Sequence, residues 1–205
     1  MKTVFINPER CIGCKHCEIA CAVEHSQSKN LYQAVFEEPL PRPRIHVEPG
    51  LHLNTSFPNK CRHCDPAPCM QVCPSGAISR SDDLSEIVVV DGNKCILCGM
   101  CGMVCPFDVI TYGRTWTVRL RRDVAIKCDH CIDRQREGRI PACAEACKVE
   151  ALQFGEINEL VKAARTRLSE AVSVAVGEIR PEVTLIPENV GAWRELGEEI
   201  SQLGR

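Results

Sequence analysis

Apolar residues in this chain come in short runs, each closed by turn residues and followed by a polar loop. Val4 to Ile6 run into Asn7-Pro8, and Ile87 to Val90 run into Asp91-Gly92, the pattern of short strands ending in turns. "RIHVEPGLHLN" alternates around Pro49-Gly50, which predicts two strands joined by a turn. "VITYGRTWTVRLRRDVAIKC" predicts another hairpin, and Asp82-Asp83 marks a turn ahead of Ile87. From Ile157 onward the period changes. Ile157, Leu160, Val161, Ala164 and Leu168 recur at helical spacing, with Gly177 and Pro181 placed to end the element. "EVTLIPEN" is extended, and "GAWRELGEEISQLG" predicts a last short helix presenting Trp193, Leu196 and Ile200. The pattern is that of an α+β chain of short elements with a helical C-terminal tail.

The polar loops between these runs hold the cysteines. There are 16 in 205 residues, while aromatic residues make up only 4%. A chain so poor in large apolar side chains has a thin organic core and needs another filler. All sixteen fall into quartets: Cys11, Cys14, Cys17 and Cys21; Cys61, Cys64, Cys69 and Cys73; Cys95, Cys98, Cys101 and Cys105; Cys128, Cys131, Cys143 and Cys147. The first and third follow C-x2-C-x2-C-x3-C, the spacing with which bacterial ferredoxins hold cubane iron–sulfur clusters. The second has a stretched middle gap carrying Pro66 and Pro68, and the fourth has a long one. Pairs two residues apart suit shared metal ligation better than a disulfide framework. Soft thiolates take iron–sulfur, zinc or copper(I). Zinc normally uses two separated C-x2-C pairs, so the third thiolate of a compact run favours the cube, whereas the second and fourth quartets alone would also suit zinc. Sixteen thiolates match four 4Fe-4S clusters, with a zinc-stabilised interaction module as the competing possibility.

"VFINPERC" and "VVVDGNKC" repeat one logic, and "CPSGAI", "CPFDVI" and "CKVEAL" each lead from a fourth cysteine through a turn to an apolar position. Strand, cluster loop, short helix, strand occurs as two pairs, which predicts two ferredoxin-like modules. Gly99 and Gly102 are expected to let the backbone approach an inorganic core. A basic residue precedes each first cysteine: Arg10, Lys60, Lys94 and Lys127. Beside an anionic cluster such cations raise the reduction potential; otherwise they are ordinary surface charge. His16, His63 and His130 flank ligand positions and are expected to bond locally or face solvent, since every ligand slot already has a cysteine. Arg119, Arg121 and Arg122 form either a docking patch or a solvated strand edge.

Other classes of function find no support. A net charge of −2 with a pI near 6.3 argues against nucleic-acid binding. The opening "MKTVFINPERC" has no apolar export segment or twin arginine, and no apolar stretch is long enough to span a bilayer. A cytoplasmic location is expected, with any membrane association made through a partner. Without G-x-G-x-x-G or H-E-x-x-H there is no flavin, nicotinamide or hydrolytic site, so no catalytic residue is assigned.

The order and gaps of the quartets resemble those of the four-cluster electron-transfer subunits of the dimethyl sulfoxide reductase family, from Val4 to about Phe154. The resemblance implies a non-catalytic subunit that relays single electrons. It implies two interleaved modules within 1–155, one from the first and fourth quartets (1–60 and 114–155) and one from the second and third (61–113), followed by a helical extension at 156–205. It also implies exchanged fourth ligands: Cys11, Cys14, Cys17 and Cys147; Cys128, Cys131, Cys143 and Cys21; Cys61, Cys64, Cys69 and Cys105; Cys95, Cys98, Cys101 and Cys73. Some relatives have tryptophan at the second cysteine of the third quartet, whereas Cys98 here implies a full cubane. Lys148 stands where proline usually follows the fourth cysteine, a departure expected to alter that turn. "NPERCIGCKHCEIACAVEHS" and "FPNKCRHCDPAPCMQVCPSGAI" are most similar to the branch that accompanies nickel-containing carbon monoxide dehydrogenase. That branch implies this enzyme as donor and a hydrogenase or flavin-dependent oxidoreductase as acceptor. Subunits serving formate dehydrogenases or formate-hydrogenlyase-type complexes share most of these motifs.

Overall fold

The computed structural model describes residues 2–50, 55–84, 86–119 and 122–178, with side chains up to 173. Arg121 and the predicted segments around Trp193, Leu196 and Ile200 lie outside the described residues. The chain divides into two compact units, Met1–Ile157 and Asn158–Arg205.

Among the described residues, eight strands form four antiparallel pairs in the first unit. β1 (Lys2–Ile6) pairs with β8 (Leu152–Glu156), opposing Val4 to Phe154. β2 (Ile45–Pro49) pairs with β3 (Ser56–Lys60), β4 (Ile78–Arg80) with β5 (Val88–Val90), and β6 (Thr111–Gly113) with β7 (Val124–Ile126). The hairpin expected around Pro49-Gly50 is present, but its second strand is Ser56–Lys60. The "LHLN" part of the expectation, residues 51–54, lies outside the described residues. The turn expected at Asp82-Asp83 joins β4 to β5, and the hairpin predicted after Ile110 forms.

Short helices carry ligand positions between the strands. α1 (His16–Glu24) holds Cys17 and Cys21, α3 (Pro68–Gln71) holds Cys69, α4 (Met100–Met103) holds Cys101, and α6 (Ala142–Glu145) holds Cys143. α2 (Leu31–Ala34) interrupts the long connection after the first quartet, its N-terminus capped by Asn30 accepting from Tyr32 and Gln33. α5 (Ile132–Arg136) follows Cys131.

The elements repeat. Strand, loop, hairpin, loop and strand occur once over β1–β4 and again over β5–β8. The repeats exchange their outer strands, β1 with β8 and β4 with β5. One core packs Val4, Ile45, Val47 and Leu152 around Cys17, Cys21 and Cys143. The other packs Ala77, Ile78, Val88, Val118, Val124 and Ala125 around Cys95 and Cys101. From the β6–β7 hairpin, Val118, Val124 and Ala125 pack with Ala77, Ile78 and Val88 beside Cys95 and Cys101.

Arg134 ties the first-and-fourth-quartet region together. It is 6% exposed, donates to the Ile140 carbonyl at 2.8 Å and to the half-buried Glu24 at 2.9 Å, and also pairs with Glu145. Arg134→Met leaves the Glu24 carboxylate without this partner. Because Lys29 still pairs with Glu24, the expected cost is about 1–3 kcal/mol, observed as loss of visible absorbance at a lower temperature than in the wild-type holoprotein.

In the second unit, α7 (Ile157–Glu178) is the helix predicted from the apolar period, and it runs through Gly177. None of its described side chains is fully buried, and Leu168 is exposed.

Candidate metal centres

Each quartet opens on a loop whose backbone turns left-handed two residues after the first cysteine. The residues there are Gly13 (φ 69°), His63 (51°), Leu97 (56°) and His130 (59°). This bend folds the next N–H groups back toward sulfur. His63 N–H donates to Cys61 Sγ and His130 N–H to Cys128 Sγ, both at 3.4 Å. Arg44 N–H reaches Cys21 Sγ at 3.2 Å, Ala125 N–H reaches Cys95 Sγ at 3.4 Å, and Ser56 Oγ reaches Cys11 Sγ at 3.1 Å. Such bonds favour ionised sulfur.

A second turn recurs after the fourth cysteine. Gly76, Asp108 and Glu150 all have positive φ, and each donates its N–H to the carbonyl of the cysteine three residues back, at 3.2–3.3 Å. Lys148 therefore leaves the last of these turns unaltered, because a bond the proline position does not make closes it.

The thiols converge from distant parts of the chain. One cavity is lined by Cys61, Cys64, Cys69 and Cys105, and another by Cys73, Cys95, Cys98 and Cys101. Burial pushes the Cys17 thiol up to about 12, and the nearby Cys147 and Cys11 push the same way. Burial also raises Cys21, reinforced by Cys143, Cys128 and Cys131. Cys14 and Cys98 are exposed at their loop tips, and eight of the sixteen cysteines are buried. Buried, crowded thiols resist ionisation unless a cationic inorganic core compensates. His63 makes the same point. Its Nδ1 accepts from Val88 N–H at 3.0 Å, so in the neutral ring Nε2 carries the proton, and that buried donor has no partner among the described residues. Sulfide or thiolate in the adjoining cavity supplies an acceptor. The residues thus fit iron–sulfur clusters.

Residues 53–157 match a 4Fe-4S dicluster domain family, and residues 10–78 match a second family of the same description. This chain belongs to the 4Fe-4S dicluster ferredoxin family. An iron-sulfur protein of Rhodospirillum rubrum is 38% identical over 164 residues, covering 76% of this chain and 82% of its own length. The B subunit of the anaerobic dimethyl sulfoxide reductase of Escherichia coli is 36% identical, covering 77% and 75%. The electron transport protein HydN of E. coli is 35% identical, covering 77% and 89%. No described helix of this dicluster protein is long and apolar enough to cross a membrane.

Several flanking residues stand differently from expectation. Of the four basic residues before first cysteines, Arg10 pairs with Glu150 and Lys94 lies near Asp91 at the surface, whereas Lys60 and Lys127 are 0% and 3% exposed. The surface reading applies to Arg10 and Lys94, while Lys60 and Lys127 are enclosed by the fold. His16 is exposed, but His63 and His130 are buried and stack at 4.8 Å between ring centroids. Burial first, then nearby lysine charge, holds both rings well below the usual histidine range, His130 at about 3. Both are neutral at physiological pH.

Gly99 has a left-handed backbone (φ 79°), and Gly102 packs against a phenol. A Cβ at Gly102 would sit 2.6 Å from Tyr112 Oη. Tyr112 donates to Gly99 O at 3.0 Å and accepts from Gly102 N–H at 3.1 Å, strapping the loop between Cys98 and Cys101. Nothing in the sequence marked Tyr112, whose role depends on the fold of the β6–β7 hairpin. Gly102→Ala is expected to displace the phenol at a cost of about 1–3 kcal/mol, measured as faster loss of cluster absorbance in a chelator. Tyr112→Phe added to Gly102→Ala should cost less than the two single effects summed, because the clash is shared.

Proposed function

We propose that this chain is a non-catalytic electron-transfer subunit holding four 4Fe-4S clusters in an oxidoreductase complex. The observation that supports the proposal is that Cys61, Cys64 and Cys69 line one cavity with Cys105, and Cys95, Cys98 and Cys101 another with Cys73. Cys11, Cys14, Cys17 and Cys147 would hold one cluster, and Cys21, Cys128, Cys131 and Cys143 a second. Cys61, Cys64, Cys69 and Cys105 would hold a third, and Cys73, Cys95, Cys98 and Cys101 the fourth. When bound, a cubane supplies reversible one-electron exchange. The chain itself supplies N–H and O–H donors to sulfur, walls that exclude water from the inner thiols, and exposed loop tips at Cys14 and Cys98 for close approach by redox partners.

We further propose nickel carbon monoxide dehydrogenase as the donor and a hydrogenase or flavin-dependent oxidoreductase as the acceptor, in the cytoplasm, with any membrane contact made through that partner. The support is the similarity of "CAVEHS" and the proline-rich segment after it to that branch. A formate dehydrogenase complex is the second possibility, because the same motifs occur there. Affinity purification of the tagged full chain from its native source should bring along the catalytic subunit and identify it. Turnover of carbon monoxide, formate or hydrogen by the isolated chain would refute the non-catalytic assignment, and stoichiometric zinc without labile sulfide would favour the zinc module.

A further inference from the structure

We infer that the two buried lysines act crosswise: Lys60 is the resident cation of the group Cys21, Cys128, Cys131 and Cys143, Lys127 is that of Cys61, Cys64, Cys69 and Cys105, and each raises the reduction potential of the cluster across the repeat. The inference rests on the four-cluster assignment proposed above. Chain order points the other way, since Lys60 adjoins Cys61 and Lys127 adjoins Cys128.

The contacts give the crossing. Lys60 Nζ donates to its neighbour's carbonyl, Cys61 O, at 3.1 Å, but it also lies 3.5 Å from His130 Nε2. His130 belongs to the opposite loop, and its N–H holds Cys128 Sγ. Lys127 Nζ donates to Cys128 O at 2.9 Å and also to Val88 O. The N–H of Val88 donates to His63 Nδ1, and His63 N–H holds Cys61 Sγ. Lys60 thus reaches the Cys128 loop of the other repeat, whereas Lys127 is held by Val88 of its own repeat, a residue that lines the cavity of Cys61, Cys64, Cys69 and Cys105.

A buried ammonium without an anion is costly. No carboxylate forms an ion pair with either lysine among the described residues. Asp129, the nearest acidic candidate in sequence, is engaged by Arg44, His25 and the Cys131 N–H. His63 and His130 are imidazoles, which supply no negative charge. What remains are the thiols. The Lys60 charge opposes the effect of burial on Cys128 and Cys143, and the Lys127 charge does so on Cys69. Adding one electron to a thiolate-ligated cube adds one negative charge, which a nearby cation stabilises.

The test is a potentiometric titration of the reconstituted full chain followed by electron paramagnetic resonance, with signals assigned by their loss or alteration in Cys61→Ser and Cys128→Ser. Lys60→Met and Lys60→Gln, the latter keeping a polar donor without charge, should move the Cys128-assigned signal to lower potential and leave the Cys61-assigned one in place. Lys127→Met and Lys127→Gln should do the reverse. A shift of the signal on the lysine's own side, or no shift at full iron loading, overturns the inference. If a variant loads incompletely, loss of the cluster absent in Cys128→Ser from both Lys60 variants supports the crossing, and loss of the one absent in Cys61→Ser overturns it. Wild-type protein holding fewer than four clusters would instead refute the underlying assignment, a separate result seen before any lysine is changed.

Discussion

Anaerobically reconstituted chain is expected to contain about sixteen iron and about sixteen sulfide ions, and stripping them should abolish the fold of Met1–Ile157. The buried apolar residues explain why. They are valines, isoleucines, alanines, one leucine and eight cysteines, with no buried phenylalanine, tryptophan, tyrosine or methionine among the described residues. Such small side chains leave too little apolar area to offset the conformational entropy of ordering the unit. The ligand shell, once metallated, supplies the missing free energy, so binding and folding become one equilibrium. Circular dichroism and amide hydrogen exchange of chelator-treated protein should show the cooperative transition lost and protection near zero in this unit. A stripped protein that kept native exchange protection would show that the clusters are passengers in a self-sufficient core.

The second large effect concerns the exchanged fourth ligands. Cys147→Ser should alter the same paramagnetic signal as Cys11→Ser, and Cys21→Ser the same one as Cys143→Ser. Loss of one thiolate exposes an iron site, so the expected result is conversion or complete loss of one cluster with the other three retained. The physical basis is proximity: the Cys17 thiol senses Cys147 and Cys11, while Cys21 senses Cys143, Cys128 and Cys131. If Cys147→Ser altered the signal assigned to Cys143, each quartet would hold its own cluster and the exchange would be wrong.

Much of this was legible in the chain because cysteine spacing and short apolar runs are local signals. The strand starting near Val4, the hairpin at Thr111–Ile126 and the helix from Ile157 all follow from patterns within a few residues. What stayed hidden depends on burial and on long-range approach. Lys60 and Lys94 occupy equivalent positions before a cysteine, yet one is enclosed by the opposite repeat and the other points to water. His63 and His130 look like loop residues until the two repeats stack them. Gly102 has the composition of a cluster loop but answers to a tyrosine ten residues on.

The pairing of β1 with β8 also bears on how the protein is made. β4 and β5 are neighbours in sequence and can close while the chain is still emerging from the ribosome, whereas β1 must wait for Leu152–Glu156 to be translated. Until then the first-born strand has an open edge and its thiols have no closing partner. Pairing of β1 therefore waits until Leu152–Glu156 has emerged, and the cluster loop that follows β1 is closed no earlier than that.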